Sequence, residues 1–410
     1  MGLLRTPERQ VRLVVGTPLG QFIRSASRAA WRSRRAMARD RFGLSIIRIP
    51  TLPARLDRSH VDGVVMSRWL AAQLDSSEPA ILHCRGLTAA QIGLTVRTRR
   101  PGVRVVFDCR GVAGPEALYA GGFPSEDGAP VEMVAVARNL DTQQKAAAKA
   151  SDGVIVVSHA MRELALRSWG VPTGRVAVTP CCAEVDESAL RERDGTRDRL
   201  GVKDRFVVVY CGSITPYQMV EESVDLFREI LTMRPDATFL GITPSVTLLT
   251  ELLRARGVPS EKFQIISAPH SEVPKLLAAG DLAVLLRERS LVNAVASPVK
   301  FAEYLAAGIP VVLTEGIGDY SDLVRSNGVG CVLPDVRANE KSHDDLNAFL
   351  IAYSRNAPDV RANCYALARR ELSAARARDA VNSLYHRLFS EARSSETSLF
   401  AANAEEKTVA

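Results

Sequence analysis

A chain of 410 residues, 46% hydrophobic and 24% charged, has a globular composition and enough length for two or three domains with cores of their own, which excludes a disordered or disulfide-stapled miniature class. Its formal charge of +7 is uneven: residues 1–200 hold 30 Lys and Arg against 20 Asp and Glu, and residues 201–410 hold 23 against 26. No run approaches the roughly 18 apolar residues of a membrane span, and the opening MGLLRTPERQ lacks the apolar core of a secretory signal, so a cytosolic chain is expected.

The first half reads as alternating strands and helices. VRLVVG, LSIIRI, AILHCRG, RVVFDCRG, GVIVVS and VAVTPC predict strands near 11–16, 45–49, 80–86, 104–111, 153–158 and 176–181, with helical stretches between most of them. Between the first two, in QFIRSASRAAWRSRRAMARDRF, Arg24, Arg28, Arg32, Arg35 and Arg39 fall within about 80° of arc on a helix. Phe22, Ala26, Ala29, Ser33 and Met37 take the opposite side, and Trp31 flanks the stripe. Such a stripe suits an anionic membrane surface, and equally a merely solvated basic face on a docked helix. Stacking aromatics at strand spacing are missing, which argues against nucleic acid.

The second half repeats the grammar with less ambiguity. RFVVVYCG (205–212), ATFLGI (237–242), FQIISA (263–268), LAVLLR (282–287), IPVVLT (309–314) and GCVLP (330–334) are continuous apolar runs separated by helices near 219–232, 245–256 and 272–280. Apolar strands alternating with helices predict parallel sheets covered on both faces, so the fold class is α/β with two Rossmann-like doubly wound domains facing a cleft. Residues 1–186 form the first domain, 187–205 a charged, glycine-containing linker, 206–370 the second domain, 371–393 a C-terminal helix returning towards the first domain, and 394–410 a frayed, flexible tail. Cys84, Cys109, Cys181, Cys182, Cys211, Cys331 and Cys364 are odd in number, without C-x-x-C spacing, and read as buried free thiols. The six histidines never reach metal-ligand spacing, and no G-x-G-x-x-G follows a strand, so neither a metal nor a dinucleotide cofactor is expected.

One stretch poses a question. SPVKFAEYLAAGIPVVLT (297–314) predicts a helix with Ser297 as N-cap, Pro298 at its first position and Gly308 as its stop, leading into a buried strand. Lys300 then sits in the first turn, facing the positive end of the helix dipole at a cost of about 0.3–1 kcal/mol. An anion held by Lys300 and the free first-turn amides would offset that cost; pairing with Glu303 three residues on is the plain alternative.

The residues from Arg205 to Pro334 resemble the nucleotide-sugar-binding domain of family-4 retaining glycosyltransferases with the GT-B fold. The resemblance rests on Ser297, Pro298, Lys300, Glu303, Tyr304, Gly308, Pro310 and Val311, the S-P-x-K-x-x-E-Y-x-x-x-G-x-P-V pattern of one branch, with support from Gly212, SHAMREL (158–164) and VTPCCAEVD (178–186). It covers most of residues 80–385. It implies that Glu303 binds the nucleotide ribose, that basic groups around Lys300 hold a departing diphosphate, and that the chain moves a sugar from a UDP- or GDP-sugar to a lipid-linked or polysaccharide acceptor with retention of configuration. Catalysis of that kind is mostly stabilisation of the leaving anion.

Two departures from the family pattern follow. Val295 stands where the motif has a glutamate held to contact the donor sugar, and the loop YCGSITPYQM carries Ser213 and Gln218 where an arginine and a lysine usually grip the phosphates. Arg287 and Arg289 are the expected replacements, with Asn293 a candidate sugar or phosphate contact and Gln218 expected to contribute little. On the acceptor side, His83, Arg85, Asp108, Arg110 and Glu116 lie at or beyond strand ends and resemble the H-x-R and D-x-R-G runs of the same branch; a buried His83 or a structural Asp108–Arg110 pair fits the residues equally. A nucleotide-sugar 2-epimerase, relying on Glu116, Asp108 and His83 for proton chemistry, and a non-catalytic partner subunit remain alternatives.

Overall fold

The computed structural model of the chain describes residues 11–18, 23–42, 44–51, 59–75, 78–185, 187–335 and 340–408. The opening MGLLRTPERQ, Phe22 and the domain boundary at 186 lie outside them. The first half runs β1 (Arg12–Pro18), α1 (Ser25–Phe42), β2 (Ser45–Thr51), α2 (Ser59–Gln73), β3 (Ala80–Arg85), α3 (Leu87–Arg99), β4 (Val103–Asp108), α4 (Ala113–Ala120), α5 (Val131–Ala150), β5 (Gly153–Val156), α6 (His159–Arg167) and β6 (Val176–Val178). Two helices follow, α7 (Glu187–Arg191) and α8 (Arg193–Leu200). The second half runs β7 (Phe206–Cys211), α9 (Val220–Met233), β8 (Ala237–Ile242), α10 (Val246–Ala255), β9 (Phe263–Ile266), α11 (Val273–Ala278), β10 (Leu282–Leu285), α12 (Leu291–Ala294), α13 (Val299–Ala306), β11 (Val311–Thr314), α14 (Tyr320–Asn327) and β12 (Gly330–Leu333). Two long helices, α15 (Glu340–Glu371) and α16 (Ala374–Thr408), complete it. The backbone of α15 breaks at Asn356, two residues before Pro358, where the ring removes an N–H and crowds the preceding turn.

The second domain is a six-stranded parallel sheet in the order β9-β8-β7-β10-β11-β12. That order reverses between β7 and β10, and an open α/β sheet binds ligands just beyond the strand ends at such a switch point. Every residue of β7, β8, β10 and β11 is buried, because helices on both faces remove the sheet from water. In the first domain β3-β4-β5-β6 form one parallel sheet, whereas β1 and β2 pair only with each other. The single sheet expected for the first half is thus two sheets among the described residues. A strand's apolar run reports that it is buried, not which strand it lies beside.

The charged stretch at 187–205 is no free linker. It folds as α7 and α8, and their arginines clamp the turn after α11. Arg193 donates to the carbonyls of Ala278 and Gly280 at 2.6 and 2.7 Å, and Arg197 to that of Ala279 at 2.7 Å. Both ion-pair with Asp281, and Arg361 adds a bond to the Gly280 carbonyl. Cations on the last carbonyls of a helix complement its dipole. At the far end of the chain α16 crosses to the first domain, where Val381, Leu384, Tyr385 and Leu388 pack on Val106 and Ile155. Its backbone is helical through Thr408, past the point expected to fray. Of the cysteines, Cys181 and Cys182 are half-buried and the other five buried; burial pushes the Cys84 and Cys109 thiols up to about 12.

Candidate nucleotide-sugar site

Lys300 lies in the first turn of α13, at the switch point, and is 9% exposed. Pro298, not Ser297, is the N-cap, and no side chain caps the helix. The Ser297 hydroxyl is instead drawn into the interior, accepting from the Cys181 N–H at 2.9 Å and meeting the Tyr320 hydroxyl at 2.6 Å. The other end behaves as expected. Gly308 (φ 67°) closes a Schellman turn, its N–H bonding the Leu305 carbonyl and that of Ile309 the Tyr304 carbonyl at 2.9 Å each.

The lysine amine donates to the Gln218 side-chain oxygen at 2.8 Å and to the Tyr210 hydroxyl at 3.4 Å, and it stands 4.5 Å from the Tyr210 ring centre. It passes directly over Gly212 (φ 131°), where a Cβ would stand 2.4 Å from Lys300 Cε and 2.6 Å from Nζ. Any side chain at 212 would therefore displace the amine. Gln218 is 6% exposed, and its amide oxygen is the nearest partner of the amine. Ser213 joins through its backbone, its carbonyl accepting the Tyr210 hydroxyl at 2.7 Å.

Arg287, beyond the end of β10, is 5% exposed. Its backbone N–H bonds Thr314 Oγ1 at 2.9 Å, and its guanidinium bonds the Leu286 carbonyl at 2.9 Å and lies 5.5 Å from the Tyr217 ring centre. Among the described residues neither Lys300 nor Arg287 has a carboxylate within ion-pair distance. Burial, with Arg287 as second cause, pushes the Lys300 amine down to about 7; burial likewise lowers Arg287. Glu303, half-buried one turn on, is raised by burial, against the opposing pull of His270 and Lys300. It makes no ion pair with Lys300, so the plain alternative for the lysine does not hold. Arg289 is exposed and donates to the Pro334 carbonyl at 3.0 Å. It does not share the buried pocket of Arg287, and only one of the two expected replacements is there. Asn293 is 4% exposed and its amide donates to the Glu288 carbonyl at 2.9 Å, fixing the turn.

Across the cleft, Asp108 at the end of β4 holds His83 Nε2 at 3.2 Å and Arg110 Nε at 2.7 Å, and His83 Nδ1 meets the Tyr385 hydroxyl at 2.7 Å. Burial alone would raise Asp108, but the hydrogen bond from His83 and the charge of Arg110 hold it below the usual carboxylate range. Arg85 and Glu116 are exposed, and the Glu116 carboxyl folds over Gly111, where a Cβ would meet it.

The seam between the domains runs beside the cationic pocket. Val295 is 3% exposed and packs in the first domain's core with Val112, Val157 and Met161. Its carbonyl accepts from the Ser158 hydroxyl at 2.8 Å. Asp319, just before α14, reaches over to the start of α6 and accepts from the His159 and Ala160 N–H groups at 2.7 and 3.0 Å. Neither Asp319 nor Tyr119, which meets Tyr217 ring to ring at 6.4 Å, was singled out by sequence, since nothing in a local pattern marks a contact made to another domain.

Comparison with known proteins agrees with this fold. Residues 4–182 match the family described as "Glycosyl transferase 4-like domain", and residues 192–365 match "Glycosyl transferases group 1". The chain is 23% identical over 202 residues to an alpha-D-kanosaminyltransferase of Streptomyces kanamyceticus, covering 48% of this chain and 51% of the relative. It is 30% identical over 133 residues to a putative teichuronic acid biosynthesis glycosyltransferase, TuaH, of Bacillus subtilis, covering 32% and 29%. The match thus spans about half of one curated relative and under a third of the other. Among solved structures, HepE of Anabaena in complex with UDP superposes with a TM-score of 0.64 at 15% identity, covering 91% of this chain and 92% of that one. WaaG, a glycosyltransferase involved in lipopolysaccharide biosynthesis, gives 0.57 at 14%, covering 91% and 99%.

Proposed function

The chain is built as a GT-B glycosyltransferase, from a glycosyl transferase 4-like domain and a group 1 domain, and we propose that it moves a sugar from a UDP- or GDP-sugar onto a lipid-linked or polysaccharide acceptor with retention of anomeric configuration. One observation carries the reading: two buried cations, Lys300 and Arg287, converge without a carboxylate partner at the topological switch point of the second sheet. Two like charges held this way out of water are costly unless an anion joins them, and a diphosphate supplies it. The UDP found in HepE favours a uridine donor.

In this reading the diphosphate lies over the start of α13, with Lys300 and Arg287 on its oxygens and Glu303 on the ribose. The bond from the anomeric carbon to the diphosphate oxygen breaks with the electron pair leaving on oxygen, where the two cations stabilise it. The acceptor hydroxyl attacks from the same face and passes its proton to a phosphate oxygen of the leaving group. His83, Asp108, Arg110, Arg85 and Glu116 form the facing wall, where the acceptor enters. The epimerase alternative has weaker support: it needs His83 and Asp108 for proton transfer, yet both are engaged with Tyr385 and Arg110.

The exposure of Arg24, Arg28, Arg32, Arg35 and Arg39 along α1 supports contact between the first domain and an anionic membrane surface on the cytoplasmic side. Among the described residues no helix is long and apolar enough to cross a membrane. Trp31, expected at the edge of that surface, is half-buried with the Arg48 guanidinium 5.3 Å from its ring centre. Ala29, Ser33 and Met37, expected on a docked face, are exposed as well.

A thermal-shift screen with UDP, GDP and ADP and their hexose derivatives tests the donor. A nucleotide at 100 times its dissociation constant adds about 2.7 kcal/mol of stability, and slow release of free diphosphate from the stabilising sugar nucleotide separates an enzyme from a non-catalytic partner. Stabilisation by none of them would overturn the proposal.

A further inference from the structure

One hydroxyl ties the acceptor wall to the far end of the chain. Tyr385 of α16 is buried, its oxygen lies 2.7 Å from His83 Nδ1, and the two rings meet edge to face at 6.1 Å. The tyrosine ring is itself held, because it packs with Val381, Leu384 and Leu388 on Val106 and Ile155, and Val106 is the residue paired with His83 across β3 and β4. From His83 the contacts continue outward. His83 Nε2 and one terminal nitrogen of Arg110 share Asp108 Oδ2, at 3.2 and 3.1 Å, while Arg110 Nε stands 2.7 Å from Oδ1. The side chains of His83 and Asp108 are 14% and 4% exposed and that of Arg110 is 32% exposed, so the row opens to solvent at its arginine end.

The ends of the row dictate where its protons sit. An ionised Asp108 only accepts, so Nε2 carries the ring proton; Nδ1 of the neutral imidazole is then an acceptor, and Tyr385 fills it by donating its O–H. Without that hydroxyl the proton is free to move to Nδ1 and the ring to turn over, and Oδ2 loses one of the two donors that set the plane of the carboxylate. Among the described residues no second carboxylate lies within ion-pair distance of Arg110, so its guanidinium takes its orientation from Asp108. We propose that Tyr385 is a positioning residue of the acceptor site: through His83 and Asp108 it aims the Arg110 guanidinium at an oxygen of the incoming acceptor. The inference rests on the acceptor reading above and adds to it a residue, from the opposite end of the sequence, that touches no substrate.

The test compares wild type, Tyr385→Phe, Arg110→Lys and the double variant. In nitrogen-15 imidazole spectra, with the His83 signal identified by its loss in His83→Gln, wild type should show the Nε2–H tautomer and Tyr385→Phe a mixture of the two. UDP affinity, held within the second domain, should stay within about twofold in Tyr385→Phe, since distant sites do not couple. Transfer is measured from the stabilising sugar nucleotide to a prenyl-diphosphate-linked hexose and to a soluble oligosaccharide. In Tyr385→Phe kcat/KM for the acceptor should fall about tenfold, mostly through KM, as misplacement of a binding group predicts. The double variant should be no worse than Arg110→Lys, because the hydroxyl acts only through that arginine. An unchanged His83 tautomer or wild-type acceptor kinetics in Tyr385→Phe, or additive losses in the double variant, would overturn the inference and leave the acceptor reading standing. Equal loss of UDP affinity would also overturn it, by making Tyr385 a support of the fold. A wild-type acceptor KM in Arg110→Lys, or transfer to neither acceptor by the wild type, would remove the acceptor reading and this inference with it.

Discussion

An ammonium group buried beside a guanidinium is close to half-neutral at physiological pH, and Lys300 at about 7 is such a group. A diphosphate selects the protonated amine, so binding takes up a proton above pH 7. The dissociation constant for UDP should therefore rise by about tenfold per pH unit above 7, up to the pKa of the complex. The ligand-free fold runs the other way. A lysine that titrates lower folded than unfolded adds stability as pH climbs from about 7 towards its ordinary value of 10.5. Replacing Lys300 with Met should flatten both trends, and a UDP affinity that stays constant from pH 6.5 to 9 would contradict the assignment. Lys300→Ala should slow transfer by about a hundredfold or more, as removing one oriented donor from a developing oxyanion does; wild-type turnover would return the lysine to a packing role. The contact between Gln218 and Lys300 was not legible in the sequence. The Gln218 amide oxygen meets an amine 82 positions away, a distance over which no spacing rule speaks.

Among the elements, the strands of the second domain were legible to within about two residues, because each is a largely apolar run bounded by turn residues, and the four central ones are buried throughout. The same signal placed Arg287 and the loop after Gly212 at strand ends, and so found the pocket. What it missed are elements whose meaning lies in a partner. The α7–α8 segment reads as a charged connector until Arg193 and Arg197 are seen on the carbonyls after α11. Asp319 reads as a surface carboxylate until it caps α6 from the other domain. That cap joins a helix dipole to a cross-domain contact, so Asp319→Ala should lower stability by about 0.5–2 kcal/mol. Affinity for UDP, held within the second domain, should stay within about twofold, while transfer, which needs both domains, falls. Transfer and stability both at wild-type level would show that the seam holds without it.

The molecule as a whole carries its excess charge on one domain, which holds the exposed arginines of α1. Each basic group close to an anionic bilayer contributes about 1 kcal/mol, and salt near 0.5 M screens it within ~4 Å. The protein should therefore co-sediment with anionic but not neutral vesicles and come off in high salt. A variant with Arg28→Glu, Arg32→Glu and Arg35→Glu should stay folded and fail to bind. Equal sedimentation with both vesicle types, or full binding by the variant, would leave a soluble acceptor as the better reading.

The return of α16 to the first domain also sets an order of events in synthesis. Val106 and Ile155 lie in the earliest-made sheet to carry acceptor-side residues, yet they are covered by Val381, Leu384 and Leu388, which are made only after the second domain. His83 waits for Tyr385 in the same way. While the second domain is being made, the first has an apolar sheet face open to water, the condition under which a nascent domain is held by chaperones or lost to aggregation. The acceptor wall is then completed by the same step that encloses that face, so a chain cut short before α16 would lack both.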